Sequence, residues 1–268
     1  MISPMLLEKA IEPINDNTYL TELKLDGIRL IWTKFNDKVR LYTRHNTEVT
    51  FRFKELHDLD MPNGTILDGE LIVPGDDGKP EFELMMERFQ SSKSNHFIQY
   101  CVFDIIQYND QNVTSLPLLE RKELLSKVVT PIEHVVLGQF IQGHAVEYFD
   151  LVKERDLEGI VIKKADSPYE LNKRSKTWIK VINYQYENIY LTALKKGEFG
   201  VNLAFEDGSY AGLMEFMPTD ERKKLYQTMR KVSETEKYIR IEPIKCQVKY
   251  RNLTRSGLLR FPSFHQWL

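Results

Sequence analysis

A chain of 268 residues, 42% apolar and 28% charged, has room for one large domain or two smaller ones around real hydrophobic cores. With only 13 Gly and 11 Pro it is neither collagenous nor low-complexity. Its 37 basic and 39 acidic residues leave a net charge of −2, which excludes a polycation, so an anionic partner has to meet a local basic patch. The stretch from Glu187 to the C-terminus, with 14 Lys+Arg against 10 Asp+Glu, is where such a patch is expected. Cys101 and Cys246, each inside an apolar run, offer no disulfide framework. The start carries no export signal, and no window approaches the roughly 18 apolar residues of a membrane span. A cytoplasmic protein is expected.

In chain order, short β-branched and aromatic runs predict strands at Tyr19 to Leu23, Ile28 to Thr33, Val39 to Tyr42, Ile66 to Val73, Phe97 to Ile106 and Gly159 to Lys163. Spacing near 3.6 predicts helices over Glu81 to Phe89, Leu116 to Val128 and His144 to Arg155. The two kinds do not alternate strictly, which favours an α+β fold over a doubly wound one. Beyond Trp178-Ile179-Lys180-Val181 the texture changes to short strands at Ile189 to Leu194, Val201 to Phe205, Tyr210 to Phe216, Ile239 to Tyr250 and Leu258 to Phe261, with one helix over Asp220 to Val232. About 80 residues of this kind suit a small Greek-key barrel such as an OB-fold, a frequent nucleic-acid binder.

The sharpest local signal is Glu22-Leu23-Lys24-Leu25-Asp26-Gly27-Ile28-Arg29, which places a lysine between acids and next to a glycine turn. Alone, Lys-x-Asp-Gly could be a charged hairpin turn, and chance supplies it in roughly one chain of this length in twenty. Its company in fixed order is what gives it weight: Asp68-Gly69-Glu70-Leu71, Tyr100-Cys101-Val102-Phe103-Asp104, Glu158-Gly159-Ile160-Val161-Ile162-Lys163 and Trp178-Ile179-Lys180. No His-x-x-x-His or Cys-x-x-Cys spacing occurs, which disfavours zinc.

That ordered set resembles the covalent nucleotidyltransferases: ATP-dependent DNA ligases, RNA ligases and mRNA capping enzymes. The late run Gly257-Leu258-Leu259-Arg260-Phe261-Pro262-Ser263-Phe264 is most similar to DNA ligases, of a minimal bacterial or prophage type. The resemblance implies a nucleotidyltransferase domain over residues 1–183 and an OB-fold over 184–268, acting as a monomer on nicked duplex DNA in repair, replication or recombination. It implies Lys24 as the nucleophile that attacks the α-phosphate of ATP, forming lysyl-AMP. The AMP then passes to the 5′-phosphate of a nick, and the 3′-hydroxyl displaces it.

The same resemblance implies ATP-binding roles for Glu22, Arg29, Glu70, Phe103, Lys163 and Lys180, magnesium held by Glu70 and Glu158, and DNA contact by Arg44. The chemistry fits these types. A carboxylate at Glu22 can accept from the adenine amino group but meets the guanine carbonyl acceptor to acceptor. Phe103 is expected to stack on the base, Lys163 and Lys180 to meet the α-phosphate, and the arginine forks to hold phosphates. Phosphoryl transfer needs its oxygens neutralised, a task for Mg²⁺ on hard carboxylates. Asp26 is expected to orient the site, since direct pairing would hold Lys24 as an ammonium.

Two departures stand out. Ile182 occupies the place of a second lysine, and no Arg-x-Asp-Lys element follows Pro262-Ser263-Phe264 before His265-Gln266-Trp267-Leu268. Both lead to an expectation of slow self-adenylation. NAD is disfavoured as the nucleotide donor because only 23 residues precede Lys24. The competing readings are an RNA ligase or capping-type enzyme and a degenerate OB-fold nucleic-acid-binding protein.

Overall fold

A computed structural model describes residues 2–91 and 93–268, and they divide into two compact units, one ending at Ile182 and the other running Asn183–Leu268. The first contains, in order, β1 (Leu6–Ala10), β2 (Tyr19–Leu23), β3 (Ile28–Phe35), β4 (Lys38–Thr43), β5 (Thr65–Ile72), α1 (Phe82–Gln90), β6 (Gln99–Tyr108), β7 (Gln111–Asn112), α2 (Leu118–Val128), β8 (Val135–Leu137), β9 (Phe140–Gln142), α3 (Ala145–Glu154), β10 (Gly159–Lys164) and β11 (Arg174–Ile182). They form two mainly antiparallel sheets, ordered β1-β11-β10-β2-β9 and β4-β3-β5-β6-β7, with β8 added to β6. The mixture of helix and sheet agrees with the α+β expectation.

Strand β3 shows why its sequence is a continuous apolar run: it is covered on both faces. Leu30 and Trp32 enter a core with Leu67, Leu71, Tyr100, Val102 and the helix residues Met85 and Leu125. Ile31 points the other way, into a core shared with Met5, Leu20 of β2 and Trp178 of β11. Trp32 Nε1, which burial would otherwise orphan, donates to the Leu56 carbonyl at 2.8 Å. The β3–β4 turn is Asn36-Asp37, both at positive φ (49° and 56°), a conformation that small polar side chains tolerate and that suits a two-residue hairpin.

The second unit comprises β12 (Gln185–Lys195), β13 (Val201–Ala204), β14 (Tyr210–Met214), α4 (Thr219–Thr228), β15 (Lys231–Glu234), β16 (Tyr238–Tyr250) and β17 (Ser263–Trp267). Its sheet runs β14-β13-β12-β16-β15, with β17 on β16. Ile189, Leu191, Leu203, Met214, Cys246, Val248 and Leu225 of α4 share its core.

Two expectations here are corrected. The helix predicted to Val232 stops at Thr228, because Lys231–Glu234 pairs with Ile239–Ile241 of β16, and that ladder outweighs the local helical spacing. Leu258 to Phe261 is not a strand: Thr254 N donates to the Leu258 carbonyl in a turn, Phe261 has φ 51°, and the strand begins at Ser263. Among the described residues no helix is long and apolar enough to cross a membrane.

Candidate active site

Strand β2 ends at Leu23 and Lys24 follows it directly, its backbone N–H donating to the Gly159 carbonyl at 3.0 Å. That bond sets Lys24 beside Glu158, the residue before β10, and Lys24 Nζ lies 2.7 Å from Glu158 Oε2. Gly27 then lets the chain pass tightly over β5, since a Cβ there would sit 2.2 Å from the Leu71 carbonyl oxygen. Gly159, at φ 150°, allows the same approach to β11, where a Cβ would meet the Val181 carbonyl at 2.2 Å. The glycines that flank the two functional side chains are thus close-contact positions.

A cleft with about 70 Å³ of interior room is lined by Leu7, Glu22, Leu23, Lys24, Leu25, Arg29, Glu70, Phe103, Val161, Lys163 and Trp178. Six of the residues implicated by sequence therefore share one wall, Glu158 reaches it through Lys24, and Lys180 and Arg44 lie in its electrostatic surroundings. A larger hollow of about 490 Å³ lies against β3 and β4, lined by Ile31, Thr33, Arg40, Tyr42 and Ile66 among others, and it contains no carboxylate. The smaller cleft is the one equipped for chemistry.

Glu22 is buried and both its oxygens face lysines: Oε2 accepts from Lys163 Nζ at 2.6 Å, and Oε1 lies 2.6 Å from Lys122 Nζ. Burial works against its charge, but the two ammonium groups prevail and hold its pKa below the ordinary value. Lys163 sits over the rings of Phe103 and Trp178, 4.3 and 4.2 Å from their centroids, and burial pushes it down to about 8 despite the pull of Glu22. Glu70 is pushed up to about 7 by burial, with Lys24 and Arg29 opposing and Asp68 and Asp26 adding to the rise. Asp26 thus acts on the site through its field.

Arg29, expected to hold a phosphate, lines the cleft and is also tied beneath it. Its Nε and Nη2 donate to Asp68 Oδ1 and Oδ2 at 2.9 and 2.5 Å, and Asp68, wholly buried, also accepts from the Tyr169 hydroxyl at 2.6 Å. A second pair lies beside it: Asp104, across the β5–β6 ladder from Asp68, receives Arg121 Nε at 2.8 Å and Nη2 at 3.0 Å. Arg121 and Asp104 are both fully buried, and Arg121 covers the Tyr169 ring at 5.7 Å. Arg121, Lys122 and Tyr169 of this layer beneath the cleft carried no functional signal in the sequence. Arg121-Lys122-Glu123 has the texture of a solvated helix face, and only the density of apolar residues around it hinted at burial.

Lys180 is lowered first by burial and then by the like charges of Lys24, Arg174, Arg44 and Lys9. Lys9 is its direct neighbour in the parallel β1·β11 ladder. The position expected to lack a cation, Ile182, is buried opposite Gly159, so the neighbouring positive charge comes from another strand.

A lysine amine held against a carboxylate, with further lysines and an aromatic wall around one cleft, defines a site suited to nucleotidyl chemistry. Residues 4–181 match the family described as ATP dependent DNA ligase domain. Over 266 residues the chain is 52% identical to the "SPbeta prophage-derived DNA ligase-like protein LigB" of Bacillus subtilis (strain 168), covering 99% of this chain and 98% of that protein. Other curated relatives are longer, and the chain spans 26% to 50% of those named DNA ligase or LigD. Among solved structures, one from a study of Lig E DNA ligases and DNA binding with a minimal scaffold aligns with TM-score 0.72 at 18% identity, over 98% of this chain and 99% of that one. A mycobacterial DNA ligase D complexed with ATP and MES aligns with TM-score 0.62 at 19% identity, over 100% and 95%. At such identities these two speak for the fold alone.

The chain belongs to the ATP-dependent DNA ligase family. This sets DNA ligation above the RNA-ligase, capping-type and degenerate readings.

Proposed function

We propose that the protein seals nicks in duplex DNA with ATP, through lysyl-AMP on Lys24. The observation that carries this assignment is the Lys24–Glu158 contact of 2.7 Å on the wall of a cleft that Glu22, Arg29, Glu70, Phe103 and Lys163 also line. Lys24 Nζ attacks the α-phosphorus, an N–P bond forms, the bond to the β-phosphate breaks and pyrophosphate leaves. The amine must shed a proton on the way, which its ion pair with Glu158 opposes, so that pair has to open as the nucleotide and its ion enter. In the second step a 5′-phosphate oxygen displaces Lys24 from AMP; in the third the 3′-hydroxyl attacks the 5′-phosphate and AMP leaves.

Within this reading Phe103 and Trp178 form the apolar wall for the base, and the lone pairs of Glu22 not engaged by lysines accept from the adenine amino group. Lys163 and Lys180 meet the α-phosphate. Arg29 fixes the cleft floor through Asp68, and exposed Arg44 meets DNA phosphates. Glu70 and Glu158 are hard oxygen donors suited to Mg²⁺, an ion that keeps several waters and shares substrate phosphates, so two carboxylates suffice. Among the described residues no cluster of three or more candidate metal ligands occurs, which fits an ion that arrives with the nucleotide. When bound, the ion neutralises charge on the phosphate oxygens.

The unit Asn183–Leu268 is read as an OB-fold that grips the duplex, supported by its sheet of short strands with a single helix and by its basic surplus. The protein works as a monomer in this account. The test is incubation with a 5′-phosphorylated nicked duplex, ATP and Mg²⁺. A sealed strand is expected; failure to seal together with failure to form protein-bound AMP overturns the reading.

A further inference from the structure

We infer that Lys122 is a positioning residue for the nucleotide: it holds Glu22 in the cleft wall and supplies the counter-charge that lets Lys163 turn from Glu22 to a nucleotide phosphate. The inference rests on the roles proposed above for Glu22 and Lys163, and it adds a residue from α2 that touches neither nucleotide nor metal in that scheme.

Lys122 is 5% exposed, an unusual state for a lysine, and its only anion within ion-pair distance among the described residues is Glu22, 2.6 Å away. At 2.6 Å the ammonium serves Glu22 first as a charge. The ring of Phe140, in β9, lies 5.3 Å from its Nζ. One buried carboxylate is therefore shared by two buried ammonium groups, which leaves a surplus positive charge in the interior. Of the other carboxylates nearby, Asp104 is already held by two nitrogens of the Arg121 fork, and Glu70, on the same cleft wall, is pushed toward its neutral form by burial. A surplus cation at the wall of a cleft is what an incoming phosphate would compensate.

The geometry divides the labour between the two lysines. Lys163 lines the cleft and rests on Phe103 and Trp178, where it can swing toward a ligand. Lys122 does not line the cleft. If Lys163 were the sole partner of Glu22, its departure would leave a buried carboxylate uncompensated, a strongly unfavourable state. With Lys122 in place the carboxylate stays paired throughout.

The test is a double-mutant cycle on single-turnover formation of protein-bound AMP at saturating ATP, with Lys122→Met in wild-type and Glu22→Gln backgrounds. Lys122→Met should slow adenylation about tenfold or more in the wild-type background, because Lys163 is then trapped by Glu22. It should slow it by less than about threefold with Glu22→Gln, where no anion traps Lys163. Lys122→Arg should retain most of the wild-type rate. An equal factor in both backgrounds, or no effect in either, overturns the inference, since a lysine that acts through anything other than the charge on Glu22 would cost the same with or without that charge. Lys122→Gln, which removes the charge but keeps a polar side chain, gives the same comparison if the methionine variant does not fold. Absence of AMP labelling in the unmodified protein would instead overturn the ligase scheme itself, so the two failures are distinct.

Discussion

Lys24 Nζ lies 2.7 Å from Glu158 Oε2, across 134 residues of sequence, so the amine proposed to attack phosphorus is held in place by a carboxylate suited to Mg²⁺. Lys24→Ala should abolish protein-bound AMP, and Lys24→Arg should do the same, because a guanidinium is not deprotonated near neutral pH. Glu158→Gln keeps the shape but not the charge and should slow adenylation about a hundredfold or more. Labelling with α-³²P-ATP followed by peptide mapping checks all three; AMP found on another lysine would remove Lys24 from its assigned role.

The pair beneath the cleft predicts a stability effect. Asp68 is wholly buried, and Arg29→Met would leave it only the Tyr169 hydroxyl among its described side-chain partners. Removing one member of a buried ion pair costs about 3–5 kcal/mol. Arg29→Lys restores the charge without the two-pronged fit and should fall between the variant and the wild type. Urea denaturation of the three proteins measures the order, and a methionine variant as stable as wild type would contradict the account.

Glu70 gives a pH dependence with a definite sign. Its folded-state pKa is raised by burial to about 7 from 4.5, so its contribution to stability is complete below about 4.5 and is lost as pH rises through about 7. The melting temperature should therefore fall less in Glu70→Gln than in wild type between about pH 5 and about pH 8. If Glu70 helps to hold Mg²⁺, the ion together with a non-hydrolysable ATP analogue should recover more stability at the upper end of that range than at the lower. Thermal melts with and without the two ligands test the sign, and parallel curves for variant and wild type would refute the assignment.

DNA binding is predicted to be strongly salt-dependent, because a molecule of net charge −2 meets phosphates through a local basic face. Lys245 and Lys249 lie on β16, with Tyr190 and Tyr184 beneath their ammonium groups at 5.7 and 5.3 Å. Replacing both by Gln should lower the slope of log K against log salt by about 1 to 2 for a nicked duplex. An unchanged slope would move the contact face elsewhere.

What the sequence determined by itself was local. The spacing of apolar residues marked β2 to β6 and the three helices of the first unit, because those segments are buried along a regular face whatever their partners. Lys24-Leu25-Asp26-Gly27 was readable because a nucleophile, its neighbours and the glycine that permits close passage all fall within four residues. Tertiary structure decided whatever depends on a partner far along the chain. Leu6–Ala10 has a composition as suitable for a helix, and it is a strand because it pairs in parallel with Arg174–Ile182. Lys231–Glu234 leaves the helix because β16 offers its edge a ladder. The electrostatics of the cleft are long-range in the same sense: Arg29 turns to Asp68, and Lys122 is buried against Glu22, because folding brings charges together that water would otherwise keep apart. In a low-dielectric interior each charge must be matched, and sequence spacing carries no record of which one will match it.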